Sequence, residues 1–164
     1  MLSVPRVFEK LHSGAAQQAR ADGRGRVFGW AERVAVAYSE ALERSSGPGL
    51  SLRLQRWVFD RLAYRKLRAA LGGRCRYAIA GGAPLNARLG HFFRGVGITV
   101  LEGYGLTDTS AAGTVNPADA ARMGTVGQPL PGVAVRVDSD GEILLKGDVV
   151  FRGYGTRERR PTRC

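Results

Sequence analysis

Residues 76–101 read RYAIAGGAPLNARLGHFFRGVGITVL, and this stretch decides the fold. Arg76–Ala80 (RYAIA) is a short run that stops at glycines, the signature of a short strand. Gly81–Gly82–Ala83 then forms a loop, Pro84 to Gly95 carries helical spacing, and Gly97–Leu101 (GITVL) is a second strand. A strand–helix–strand crossover makes its two strands parallel. The loops leaving their carboxyl ends, Gly81–Ala83 and Glu102–Thr109, therefore open on one edge of the sheet. Ligands of open α/β sheets bind beyond those ends.

Toward the amino terminus the pattern is helical. Val4 to Ala21 has Pro5 at the first helical position and Val7, Phe8, Leu11 and Ala15 at spacings of three and four, with Gly23 and Gly25 ending it. A second helical pattern runs from Val27 to Glu43 and is broken by Ser45–Ser46–Gly47–Pro48–Gly49. In a third, Leu50 to Leu71, the residues Leu54, Trp57, Val58, Leu62 and Leu67 gather on one face. Arg53, Arg56, Arg61, Arg65, Lys66 and Arg68 fall mostly on others, and Gly72–Gly73 caps the end. We expect an amphipathic surface helix with its apolar face on the core; cations beside a Leu/Trp stripe also suit an anionic membrane surface. Toward the carboxyl terminus, Val133–Val137 and Glu142–Lys146 alternate as strands joined by Asp138–Ser139–Asp140–Gly141. The expected fold is α/β: a partial layered subdomain with a parallel strand–helix–strand unit, then a short antiparallel segment.

Composition bounds the function. The 164 residues, 44% hydrophobic and 24% charged, fit one ordinary domain and exclude wholesale disorder and a disulfide scaffold. The net charge of +11 rests almost entirely on arginine, since only Lys10, Lys66 and Lys146 are lysines. Those arginines are spread from Arg6 to Arg163, whereas a nucleic-acid binder concentrates them on one element among aromatics. No nucleic acid is therefore expected, and a small basic protein binding nucleic acid or an anionic membrane stands as the rival reading. Cys75 and Cys164 lack any paired-cysteine motif, and with only His12 and His91 beside them a zinc site is not expected. Cys75 reads as a small buried hydrophobe in a reducing compartment, His91 as a surface or packing residue. The expected location is cytoplasmic, with membrane contact at most peripheral, and no protein partner can be inferred.

Chemistry is sought first at the two loops. Gly81, Gly82, Gly103 and Gly105 let backbone groups approach a planar ligand, and Tyr104 between two glycines offers an aromatic face. Thr107 adds a hydroxyl, and Asp108 a carboxylate able to hold Mg²⁺ beside phosphate. A nucleotide is the simplest ligand asking for this set. From spacing alone the alternative has equal weight: the glycines are turns and Tyr104 is a core aromatic. No activated nucleophile and no Walker-type loop is present in the sequence.

The run Tyr104–Thr109 (YGLTDT), preceded by Leu101–Glu102–Gly103, resembles the adenine-binding motif of the adenylate-forming acyl-CoA synthetase superfamily. Gly81–Leu85 (GGAPL) resembles its partner loop, and Gly124–Gly132 (GTVGQPLPG) its following segment. Gly141–Leu144 with Gly147 and Gly153–Tyr154 is similar to the next motif, and Val4–Lys10 (VPRVFEK) to a segment of the long-chain fatty-acid branch. The resemblance implies a ligase that joins a fatty acid to AMP from ATP, releasing pyrophosphate, and then transfers the acyl group to CoA. It implies that Gly81, Gly82 and Ala83 contact purine and ribose through backbone groups, that Tyr104 stacks on adenine, and that Gly103 and Gly105 border the nucleotide. Thr107 would bond the α-phosphate, and Thr107 and Asp108 are the catalytic candidates. Asp108 is also the Mg²⁺ candidate, set back one methylene from the family's usual Glu.

The family's phosphate-binding loop, ribose-binding Asp and catalytic Lys have no counterpart here. The expectation is an internal slice of the large domain, residues 1–154, inactive by itself and marginally stable. It is followed by an aberrant, disordered Arg-rich tail, residues 155–164, that arises from a frameshift or sequencing error. Asp148 reads as a loop residue, and Phe92 and Phe93 as core.

Overall fold

The computed structural model describes residues 1–153; the tail expectation and Tyr154 lie outside them. A five-stranded sheet in the order β1-β2-β3-β4-β5 is built from Leu2–Ser3, Tyr77–Ala80, Thr99–Tyr104, Thr114–Val115 and Gln128–Pro129. The first three strands are parallel; β4 and β5 add on antiparallel. A separate hairpin pairs β6 (Ala134–Val137) with β7 (Ile143–Lys146). The parallel unit and the short antiparallel segment read from the sequence are both present.

Between β1 and β2 run α1 (Pro5–Ala21), α2 (Gly25–Leu42), α3 (Leu50–Phe59) and α4 (Arg65–Ala70); α5 (Ala87–Val96) links β2 to β3. Pro84 does not begin α5: the helix starts three residues later, after Asn86, whose Oδ1 accepts the Arg88 N–H at 2.9 Å as an N-cap. Gly97, with φ +103°, ends the helix in the left-handed region that favours glycine.

The third helical pattern is broken where none was expected, by a π-turn at Asp60–Tyr64 between α3 and α4. Its apolar face is also corrected. Leu54, Trp57, Val58 and Leu62 are exposed, while Phe59 and Tyr64 enter the core and Leu67 packs against it. Tyr64 donates its hydroxyl to the Ala31 carbonyl at 2.7 Å, which satisfies the one polar atom it brings inside. The core lies between the helices and the sheet: Phe8, Ala35, Phe92, Phe93, Val96, Ile98 and Val100 are all essentially inaccessible. Helices α2 and α5 approach so closely that a Cβ on Gly95 would collide with the Ala35 backbone.

Candidate nucleotide-binding site

In the parallel register Ala80 lies opposite Glu102, so β2 and β3 end together. Gly81 consequently leaves beside Gly103, whose carbonyl is 3.6 Å from where a Gly81 Cβ would sit. The two glycine-rich segments meet as the crossover argument requires. One boundary is corrected: β3 extends through Glu102, Gly103 and Tyr104, because Gly103 and Tyr104 pair with Val115 and Thr114 of β4. Those three residues sit on a strand end rather than in a loop, which fixes them more firmly.

The glycines differ in what they provide. Gly82, at φ +81°, has open space beside it, room for a ligand against bare backbone. Gly103 and Gly105 are required by the chain itself. A Cβ at Gly103 would press on the Thr114 carbonyl at 3.2 Å, and one at Gly105 would strike the Ala111 carbonyl. Ala83 is exposed next to Gly82. Tyr104 is half-buried and lies outside the core cluster.

Thr107 and Asp108 sit on a 3-10 turn, Thr107–Thr109. Thr107 is exposed, and its hydroxyl bonds no described residue. Asp108 is half-buried, and its backbone carbonyl accepts the Phe151 N–H at 2.8 Å, which ties the turn to the segment after β7. Two residues that sequence reasoning missed hold this arrangement. Thr109, buried, accepts the Leu106 N–H at 2.9 Å and donates to the Leu106 carbonyl at 3.0 Å. Asn116, also buried, donates to the Arg122 and Thr125 carbonyls and accepts the Arg122 N–H, while its own N–H reaches the Glu102 carbonyl at 2.8 Å. The Asn116–Pro117 pair was the available signal for a turn there. Burial pushes the Glu102 carboxyl above the ordinary range, opposed by a hydrogen bond from the Leu85 backbone.

Among the described residues no group of three or more His, Cys, Asp or Glu side chains is placed to hold a metal. Cys75 is only half-buried, contrary to expectation, and its thiol points to the Tyr77 carbonyl at 3.5 Å. His91 Nδ1 lies 3.0 Å from the Ser39 hydroxyl, a packing role. Two clefts, of about 420 and 600 Å³, lie elsewhere and include neither the Gly81–Ala83 loop nor Tyr104. No helix among the described residues is long and apolar enough to cross a membrane.

An α/β unit that brings two glycine-rich segments together at the carboxyl ends of parallel strands has the layout of a ligand-binding α/β protein. The model of the AMP-binding enzyme family matches residues 1–155, and the chain belongs to that family. It is 54% identical over 162 residues to the long-chain-fatty-acid–CoA ligase FadD15 of Mycobacterium tuberculosis, a match covering 99% of this chain and 27% of that protein. Identity to the long-chain-fatty-acid–CoA ligase heimdall of Drosophila melanogaster is 35% over 162 residues, covering 94% and 24% of the two chains. Among solved structures, the N-terminal domain of FACL13 from Mycobacterium tuberculosis is 26% identical with a TM-score of 0.45, covering 58% of this chain and 29% of that one. The chain thus spans about a quarter of the length of the curated relatives it matches.

Proposed function

We propose that these residues form the adenine-binding part of an ATP-dependent, AMP-forming long-chain fatty-acid–CoA ligase. The observation that carries the reading is the placement of Gly81–Ala83 beside Gly103–Tyr104, with the Thr107 hydroxyl accessible just beyond. The names of the relatives supply the acyl substrate class. In this reading a fatty-acid carboxylate oxygen attacks the α-phosphorus of ATP and pyrophosphate leaves; the CoA thiol then attacks the acyl carbonyl and AMP departs.

The chain's own part is positioning and charge stabilisation, the main sources of rate in phosphoryl chemistry. Tyr104 stacks on adenine, while Gly81, Gly82 and Ala83 offer backbone groups to purine and ribose. Gly103 and Gly105 keep the strand end flat against the nucleotide, and Thr107 donates to the α-phosphate as charge builds there. A single carboxylate beside a hydroxyl fits Mg²⁺, which keeps several waters and takes one or two protein carboxylates plus phosphate. Asp108 would hold it, and the ion when bound neutralises phosphate charge. We place the reaction in the cytoplasm.

Calorimetry with AMP and with a non-hydrolysable acyl-adenylate analogue tests the assignment. Stacking on an aromatic is worth about 1–3 kcal/mol per base, so Tyr104→Ala is expected to weaken binding by about fivefold or more. Unchanged affinity in that variant sinks the adenine role.

A further inference from the structure

The cleft of about 600 Å³ sits at the edge of the sheet opposite the nucleotide loops, where β2 and β3 begin. Its lining includes Arg56 from α3, Asp60 from the π-turn, Arg68 from α4, and Arg74, Cys75 and Arg76 from the connection into β2. Four arginines and one aspartate line it, a large local excess of positive charge.

Two of the arginines are already committed. Arg68 grips Asp60 with both terminal nitrogens, at 2.6 and 3.0 Å, and donates to the Val96 carbonyl at 2.6 Å. Arg56 donates Nε to the Gly95 carbonyl at 2.9 Å and lies over the Tyr38 ring at 4.7 Å. These contacts satisfy the last carbonyls of α5 and offset its negative end. They also bring both guanidinium groups over Gly97, where an added Cβ would lie 3.5 Å from Arg68 Nη1 and 3.6 Å from Arg56 Nη2.

What remains is uncompensated among the described residues. The side chains of Arg74 and Arg76 are exposed and have no hydrogen bond or ion pair with any described residue. Asp60 cannot serve them, since Arg68 occupies both its oxygens and Arg65 lies 3.6 Å away as well. The backbone holds the pair at the rim, because the Arg76 carbonyl accepts the Thr99 N–H at 2.9 Å.

We propose that this basin is a binding site for a multivalent phosphoryl anion, with Arg74 and Arg76 as its principal contacts and the outward edge of Arg56 as a third. A phosphoryl group matches the planar fork of guanidinium with two parallel hydrogen bonds and carries enough charge to balance the excess. A volume of about 600 Å³ is ample for a diphosphate or a phospholipid headgroup. Lying at the amino ends of the strands, the site is separate from the nucleotide loops and does not depend on their assignment.

Cys75 reports on occupancy because it lines the same basin. In a Cys164→Ser background, alkylation of Cys75 by iodoacetamide is followed against pyrophosphate, with sodium chloride matched in ionic strength. Saturable slowing, about tenfold when most sites are filled, is expected with pyrophosphate and not with chloride. It should vanish in Arg74→Ser/Arg76→Ser and persist in Tyr104→Ala. The double variant changes exposed side chains only, and circular dichroism verifies its fold. A second arm measures co-sedimentation with phosphatidylglycerol vesicles against phosphatidylcholine vesicles. Pyrophosphate protection alone assigns a soluble anion, whereas vesicle binding lost in the double variant assigns a lipid headgroup. Equal slowing by chloride, or protection that survives in the double variant, overturns the site.

Discussion

Ser110 and Ala111, directly after the turn that carries Thr107 and Asp108, both have positive φ, at 52° and 103°. Neither residue type favours that region, and such strain amounts to about 1–3 kcal/mol per residue. The turn tolerates it because it is held on both sides. Thr109 locks its start, and the Ser110 hydroxyl donates to the Val149 carbonyl at 3.0 Å. Ala111→Gly is therefore expected to raise stability by about 0.5–1 kcal/mol, read as a higher urea midpoint at unchanged slope. Thr109→Val removes both bonds to Leu106 inside a buried site and should lower stability by about 1–3 kcal/mol. Its effect on AMP affinity should exceed that of Ala111→Gly, since Thr107 rides on the turn it anchors. The sequence singles out Thr107 and Asp108 by their side-chain chemistry, and the structure places both on one 3-10 turn, whereas Thr109 was passed over. Its work is a backbone bond visible only once the turn is formed.

At the scale of elements, the crossover was legible because its signals are local. Ile79 and Val100 belong to runs of strand-forming residues punctuated by glycine, and a parallel pair needs a helix between. The far end of β3 was not legible, since Gly103 and Tyr104 become strand only by pairing with two residues of β4 about ten positions away. The π-turn at Asp60–Tyr64 escaped for the same reason. It coincides with Asp60 turning to meet Arg68, whose hydrogen bonds hold the Asp60 carboxyl below the ordinary range. For a carboxylate whose folded pKa is depressed, the stabilisation is full above the unfolded value near 3.9 and lost as pH falls through the folded value. Asp60→Asn should thus flatten the loss of stability on acidification below about pH 4, measured by urea unfolding across that window. A second element-level test concerns the α2–α5 contact. Gly95→Ala forces apart two helices whose backbones touch at Ala35, and should destabilise by about 1–3 kcal/mol.

For the whole molecule, the question is which side of the third helical segment faces the core. Periodicity locates an apolar stripe but does not say whether that stripe is covered, because α3 carries two. One holds Leu50, Leu54, Trp57 and Val58, all exposed; the other holds Leu52 and Phe59, packed inward. Geometry favours the second, since Trp30 of α2 meets the Phe59 ring edge-on at 5.1 Å and Phe59 stacks on toward Tyr64 at 6.3 Å. Arg61 lies over the Trp57 ring at 4.3 Å, an arrangement suited to a ring in contact with water. A paired substitution separates the two faces. Leu54→Ser removes an exposed side chain and should shift stability by no more than about 0.5 kcal/mol. Phe59→Ala empties a buried ring site and should cost about 3–5 kcal/mol. Urea denaturation of both variants beside the parent chain reads the difference directly. A large loss for Leu54→Ser with a small one for Phe59→Ala would reverse the helix face, and the burial of Tyr64 against Ala31 would go with it.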